Sequence, residues 1–290
     1  MSGNAVEIRG LEKAFPSFQL GPLDITIPVG AIYGFVGPNG SGKTTTIDLI
    51  FGIGAKDAGS ITVLGLDHER DEVAVKQRVA YVSPELQFQP WGRVHKVIEF
   101  VRGFYPAWDQ MYCNQLMRSL AINPDEKILA LSFGTRVKLA LTLALSWRPE
   151  VLVLDEPTVG LDAISKQAIF SELLAAVQDG RRTVLISSHG LTDIERFADH
   201  LGMIRGGRML FEGETAEVVG RFRVVDFIVA NGDRLAGRAG VFVQRRDGPR
   251  WRALVDLQDT PLETLQGLGA TLITDAPVTL EELFVTVGRA

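Results

Sequence analysis

Residues 31–46 read AIYGFVGPNGSGKTTT, an apolar β-rich run that gives way to a glycine-rich loop and then to a helical stretch, Thr45 to Phe51. Within it, Gly37, Pro38, Asn39, Gly40, Ser41, Gly42, Lys43 and Thr44 fit the pattern G-x-x-x-x-G-K-[ST]. A strand before and a helix after are the context in which that pattern cradles phosphates. At average composition a chain of this length meets the pattern by accident about once in a hundred cases, so an ordinary glycine turn is the weaker reading. Glycines let the backbone take φ > 0 and bring successive N–H groups onto β- and γ-phosphates, where a helix N-terminus adds favourable partial charge. Bulk at Gly40 or Gly42 is expected to obstruct that approach. Lys43 supplies a compact charge to the same oxygens, the Thr44 hydroxyl suits Mg²⁺, and Thr45 is grouped with the loop.

Further along, VLVLDEP (residues 151–157) is an apolar strand ending in acid. Asp155 is expected at the carboxyl edge of the sheet, where open α/β sheets bind ligands, and holds Mg²⁺ there through water. Its neighbour Glu156 is the candidate to orient or deprotonate the attacking water. Alone the Asp-Glu pair is weak evidence. Joined to the phosphate loop it becomes strong, because metal-assisted phosphoryl transfer needs a metal-holding carboxylate and a water-positioning group together.

The rest of the chain fits an α/β body. Of 290 residues, 46% are hydrophobic and 22% charged, a globular balance with no repeat and no low-complexity tract. Mean hydropathy is +0.13, yet the longest apolar candidate, Leu139–Leu145, is far short of the ~20 residues that a spanning helix needs. The start MSGNAVEIRG lacks a secretory pattern and Cys113 is the sole cysteine, which predicts a reducing cytoplasm. Net charge is −5, which disfavours a dedicated nucleic-acid binder. Short β-rich runs occupy residues 1–83, helical periodicity runs from Pro84 to Ala130, and apolar strands resume with VLVLD and TVLIS. From about Arg221, alternating runs (VVDFIVA, GVFVQRR, WRALVDL, ATLIT) with helices at Pro261–Leu268 and Leu280–Val287 predict a small α+β appendix. The expected domains are therefore 1–220, with a helical part at about 84–130, and 221–290.

With LSFGT at 131–135, LD at 161–162 and SSH at 187–189 added, the chain resembles the ATP-binding subunits of ABC transporters over roughly residues 5–215. The order and spacing carry the resemblance: Lys43 to Ser132 is 89 residues, Ser132 to Asp155 is 23, and Asp155 to His189 is 34. The run from Leu131 to Asp162 looks like bacterial drug- or antibiotic-export ATPases whose permease is a separate polypeptide. The resemblance implies a P-loop NTPase fold of ABC type, with a mainly parallel sheet, an N-terminal antiparallel part, a helical insertion and the appendix. It implies ATP and Mg²⁺, with Phe15 stacking on adenine, and Ser132, Gly134 and Asp162 reaching the nucleotide of a second subunit. His189 is implied as the switch histidine at the γ-phosphate. Two departures stand out. Thr135 replaces the usual signature Gln, and Pro84-Glu85-Leu86-Gln87 occupies the place of a metal-binding Gln loop, where Glu85 is the favoured substitute ligand.

One phosphate loop and one signature per chain then imply a head-to-tail dimer around two ATP, a homodimer or a heterodimer with a related ATPase. They also imply a separate permease that holds the subunit at the inner face of the membrane. The aromatics Phe88, Trp91, Phe100, Phe104, Tyr105 and Trp108 of the helical insertion are the expected docking surface. A soluble ABC ATPase of translation or DNA repair is the main rival; a kinase or GTPase leaves LSFGT and SSH unexplained.

Overall fold

A computed structural model describes residues 3–83, 88, 90, 92–230 and 235–287. The chain divides into two compact units, Met1–Gly190 with Phe197–Glu212, and Leu191–Arg196 with Gly213–Ala290.

In the first unit, strands β1 (Asn4–Phe15) and β2 (Phe18–Pro28) alternate apolar and polar residues, as a half-covered antiparallel sheet demands. They join β4 (Ala58–Val63) and β5 (Leu66–Asp67) in the order β2-β1-β4-β5. The centre of the second sheet is built from runs buried at every position. β3 (Ile32–Val36) and β7 (Val151–Asp155) are buried throughout, and so is β8 (Thr183–Ser188). Such strands can only lie inside a sheet covered on both faces. With β6 (Val79–Val82), β9 (His200–Arg205) and β10 (Arg208–Glu214) the order is β10-β9-β3-β8-β7-β6, and the pairings of β3 with β8 and β9, and of β7 with β6 and β8, are all parallel.

Helix α1 (Lys43–Ile50) follows β3 across the phosphate loop. It begins two residues earlier than the sequence periodicity suggests, because Gly42 at φ 109° turns the chain directly into the helix. Tyr33 and Phe35 of β3 share one buried core with Ile47 and Ile50 of α1 and with Val6, Ile8 and Ile25 of the antiparallel sheet. The loop is thus anchored at both ends in the same packed interior.

After α2 (Glu72–Lys76), helices α3 (Val94–Arg102) and α4 (Gln110–Ser119) and a 3₁₀ turn at Ile128–Ala130 form the helical insertion. Val94, Val97, Cys113 and Leu120 pack with Leu139 and Leu143 of α5 (Phe133–Leu145). The aromatics expected as one surface divide. Phe100 and Phe104 are exposed and meet edge to face at 4.9 Å. Phe88 and Trp108 are partly buried against the helical core, and Tyr105 stacks on Trp147 at 4.5 Å. Trp91 lies outside the described residues. Helix α6 (Ala163–Val177) joins β7 to β8.

In the second unit, α7 (Leu191–Phe197) contributes its first six residues and α8 (Thr215–Gly220) leads into β11 (Phe222–Val229). Strands β12 (Val241–Asp247), β13 (Arg250–Asp256) and β14 (Ala270–Pro277) complete an antiparallel sheet of order β12-β13-β11-β14, with α9 (Leu262–Gly267) and α10 (Leu280–Val287). Its core gathers Val225, Phe227, Leu235, Ala253 and Leu265. Among the described residues no helix is long and apolar enough to cross a membrane.

Candidate functional site

The loop between β3 and α1 needs its glycines for different reasons. A Cβ at Gly37 would sit 2.3 Å from the Ile204 carbonyl oxygen, and one at Gly42 would sit 2.5 Å from Leu20 Cδ1. Gly40 has open space around its Cα but φ +74°, so there the requirement is the left-handed backbone rather than room within the protein. The first helical bond runs from Thr46 N–H to the Gly42 oxygen, which leaves the N–H groups of Lys43, Thr44 and Thr45 without an intrahelical acceptor. Lys43 is buried and folds back, its Nζ donating to the oxygens of Gly37 at 2.7 Å and Pro38 at 3.3 Å. Ser41 Oγ is buried without a hydrogen-bond partner. Free helix-start N–H groups, a lysine and an unspent hydroxyl suit a polyphosphate.

Two carboxylates meet this loop from the end of β7. Thr44 Oγ1 donates to Asp155 Oδ2 at 2.9 Å, and Ser187 Oγ donates to Asp155 Oδ1 at 2.5 Å. Glu156 takes φ +47°, a left-handed conformation for a residue with a side chain, at a cost of roughly 1 kcal/mol. Its N–H donates to Ser187 Oγ at 2.9 Å, and its Oε2 accepts from His189 Nδ1 at 2.8 Å and His189 N–H at 3.3 Å. Lys43 Nζ is 3.3 Å from Glu156 Oε1, an ion-pair approach without the alignment of a hydrogen bond, so Oε1 is buried and not hydrogen-bonded. An ionised carboxylate can only accept, so Nδ1 carries the His189 proton and Nε2 is left for another group.

The residue set fits Mg²⁺. Thr44 and Asp155 place hard oxygen donors side by side, and Mg²⁺ is usually held by one or two protein ligands plus substrate phosphates. No cluster of three or more His, Cys, Asp or Glu capable of holding a metal occurs among the described residues. Glu85, the favoured extra ligand, lies outside the described residues, as do Pro84 and Gln87.

The signature residues form a separate group. Ser132 caps α5 by accepting from Thr135 N–H at 3.1 Å, and its Oγ is 2.8 Å from Thr135 Oγ1. A Cβ at Gly134 would meet Leu161 Cδ2 at 3.3 Å, so the 158–162 loop packs onto the start of α5. Asp162 caps α6 through Ser165 N–H at 2.8 Å and Ser165 Oγ at 2.9 Å; the backbone bond foremost holds its carboxyl below the usual range. Among the described contacts none joins Ser132, Gly134 or Asp162 to the phosphate loop of the same chain. Exposed Phe133, Val159 and Ile164 surround this group.

Phe15 is 44% exposed and tilts toward Phe18 with centroids 6.3 Å apart. Phe18, which sequence reasoning missed, lines a cavity of about 500 Å³ with Ser17, Asn39, Gly40, Thr45 and Glu156. The β1–β2 hairpin brings the Phe18 ring to the loop, with its Cζ 3.2 Å from where a Gly42 Cβ would sit, whereas Phe15, the expected adenine partner, is not among the described residues lining this cavity. Ser187 was likewise missed as an individual residue.

The chain is also similar to known proteins over most of its length. Residues 20–159 match the family model described as ABC transporter. The ABC transporter ATP-binding protein YtrB of Bacillus subtilis is 30% identical over 283 residues, 97% of each chain. The Nod factor export ATP-binding protein I of Burkholderia lata is 33% identical over 215 residues, 72% of this chain and 70% of its own length. A solved structure described as the ATP-binding subunit of an ABC transporter superposes with a TM-score of 0.67 at 21% identity, over 74% of this chain and 91% of the other, a likeness of fold.

Proposed function

The chain belongs to the ABC transporter family as one of its ATP-binding subunits, and from that premise we propose how its residues divide the work. As a member it is an ATPase. In our reading ATP lies along Gly37–Thr45 with adenine against Phe15 and Phe18. Thr44 and Asp155 would hold Mg²⁺, which when bound neutralises charge on the phosphates. Glu156, oriented by His189, positions water for attack and takes its proton. The observation that carries this is the relay Thr44–Asp155–Ser187–Glu156–His189, every member within hydrogen-bond distance of the next.

Ser132, Gly134 and Asp162 stand apart from the loop of their own chain, which supports their use in trans, within a dimer around two ATP. The subunit then works peripherally at the membrane on a separate permease. The exposed Phe100–Phe104 pair, and a cavity of about 500 Å³ lined by Phe51, Tyr81, Phe88, Val101, Tyr105 and Trp147, are the surfaces we assign to that partner. Export is the direction supported by the Nod factor export relative. The soluble-ATPase alternative finds no support among the relatives described. The second unit, whose described residues gather no chemistry-bearing cluster of this kind, is read as an accessory domain.

Size-exclusion chromatography of the Glu156→Gln variant with ATP tests the reading. An ATP-stabilised dimer with turnover lowered at least ~100-fold is expected; parental turnover or a persistent monomer would overturn it.

A further inference from the structure

Ser187 touches both acidic residues, and the roles assigned above to Thr44, Asp155, Glu156 and His189 leave it none. It is fully buried at the end of β8, and the parallel β7–β8 register sets it opposite Asp155. Its single proton goes to Asp155 Oδ1 at 2.5 Å, and its lone pair receives the Glu156 N–H at 2.9 Å. The direction is fixed, because a backbone N–H can only donate. Thr44 holds the opposite oxygen, Oδ2, at 2.9 Å. The Asp155 carboxylate is therefore clamped from two sides, one of them continuous with the left-handed backbone of Glu156.

We propose that Ser187 is a positioning residue for ATP hydrolysis. It sets the rotation of the Asp155 carboxylate so that Oδ2 faces Thr44. It also pins the Glu156 backbone in the conformation that delivers its side chain to His189. The inference rests on the roles proposed for Asp155 and Glu156. An apolar side chain at 187 would leave Asp155 Oδ1 and the Glu156 N–H without this partner in the interior, where unmet polar groups are destabilising. The expected symptom is a loosened carboxylate geometry, distinct from a loss of packing.

The test uses the full chain with Ser187→Ala and Ser187→Thr. ATP turnover is measured across a Mg²⁺ titration, and binding of a fluorescent ATP analogue is followed with and without Mg²⁺. Thermal midpoints are recorded alongside. Ser187→Ala should lower kcat about tenfold and raise the half-saturating Mg²⁺ in the binding titration severalfold, as loss of a group that orients a metal ligand does. Mg²⁺-free binding and KM for ATP should stay within about twofold. Ser187→Thr, which keeps the hydroxyl, should restore both kcat and Mg²⁺ dependence. Parental kcat and Mg²⁺ dependence in Ser187→Ala would overturn the proposal, and so would a Thr variant as impaired as Ala. If Ser187→Ala does not fold, Ser187→Cys, close in size with a weaker donor, should fall between parent and that prediction; a parental Cys variant would count against the role. Glu156→Gln is run beside them. Parental turnover in that variant would sink the carboxylate roles themselves, whatever Ser187 does, so the two failures are distinguishable.

Discussion

His189 grips Glu156 twice, through ring Nδ1 at 2.8 Å and backbone N–H at 3.3 Å, both on the same carboxylate oxygen. Removing the ring leaves the backbone bond and so separates orientation from presence. His189→Ala should lower turnover about 100-fold while nucleotide affinity changes only a few-fold. Phosphate release and binding titration on the same preparation check it. Turnover within threefold of the parent would remove His189 from the mechanism.

Trans use of the signature predicts complementation. Lys43→Ala and Gly134→Asp should each be inactive alone. Mixed, they assemble dimers with one intact site, and random pairing should recover about a quarter of parental activity. Turnover of the mixture at the level of the separate variants would show that each chain works alone.

Phe100 and Phe104 lie on the surface, so polar replacements there should cost little stability. Phe100→Ser with Phe104→Ser should leave ATPase activity and thermal midpoint of the isolated subunit unchanged, and abolish its recovery on membranes that contain its permease. Undiminished recovery would move the docking surface elsewhere.

Glu212 offers a pH test. Burial foremost pushes its carboxyl above the usual range, although Thr26 N–H at 2.6 Å and Tyr33 Oη–H at 3.3 Å donate to it. A group whose pKa is raised by folding favours the folded state most below the unfolded value near 4.5, and that contribution is lost as pH rises through the raised value. Glu212→Gln should therefore match the parent in thermal midpoint at about pH 4 and exceed it at about pH 7.5. A variant less stable than the parent at both would show that the ionised carboxylate is favourable.

What could be read from the sequence was whatever chemistry writes into contiguous residues. Gly37–Thr44 needs its spacing to wrap a phosphate, and Asp155 and Glu156 announce themselves as acids ending an apolar strand. Ser187 could not be read that way. Its value depends on β8 lying beside β7 in a register where it faces Asp155, and strands joined by helix α6 carry no local record of register. The same holds for β3, which lies between β8 and β9 although more than a hundred residues separate it from either. Phe18 was hidden for a different reason: its ring reaches the loop only through the β1–β2 hairpin. The positive φ of Glu156 is likewise invisible in composition, since residues other than glycine rarely adopt it.

The Ser132–Thr135 pair at the start of α5 has a consequence for how two chains can close. At 2.8 Å either hydroxyl can donate to the other, while the Thr135 N–H stays on Ser132 in both arrangements. When Thr135 donates, the Ser132 proton is released to point outward. In the proposed trans contact, an arriving phosphate oxygen selects that arrangement without unwinding the helix. Cap and ligand contact are then one hydroxyl read in two proton directions, so a threonine in the place of the usual glutamine supplies a donor that frees the Ser132 proton to turn outward.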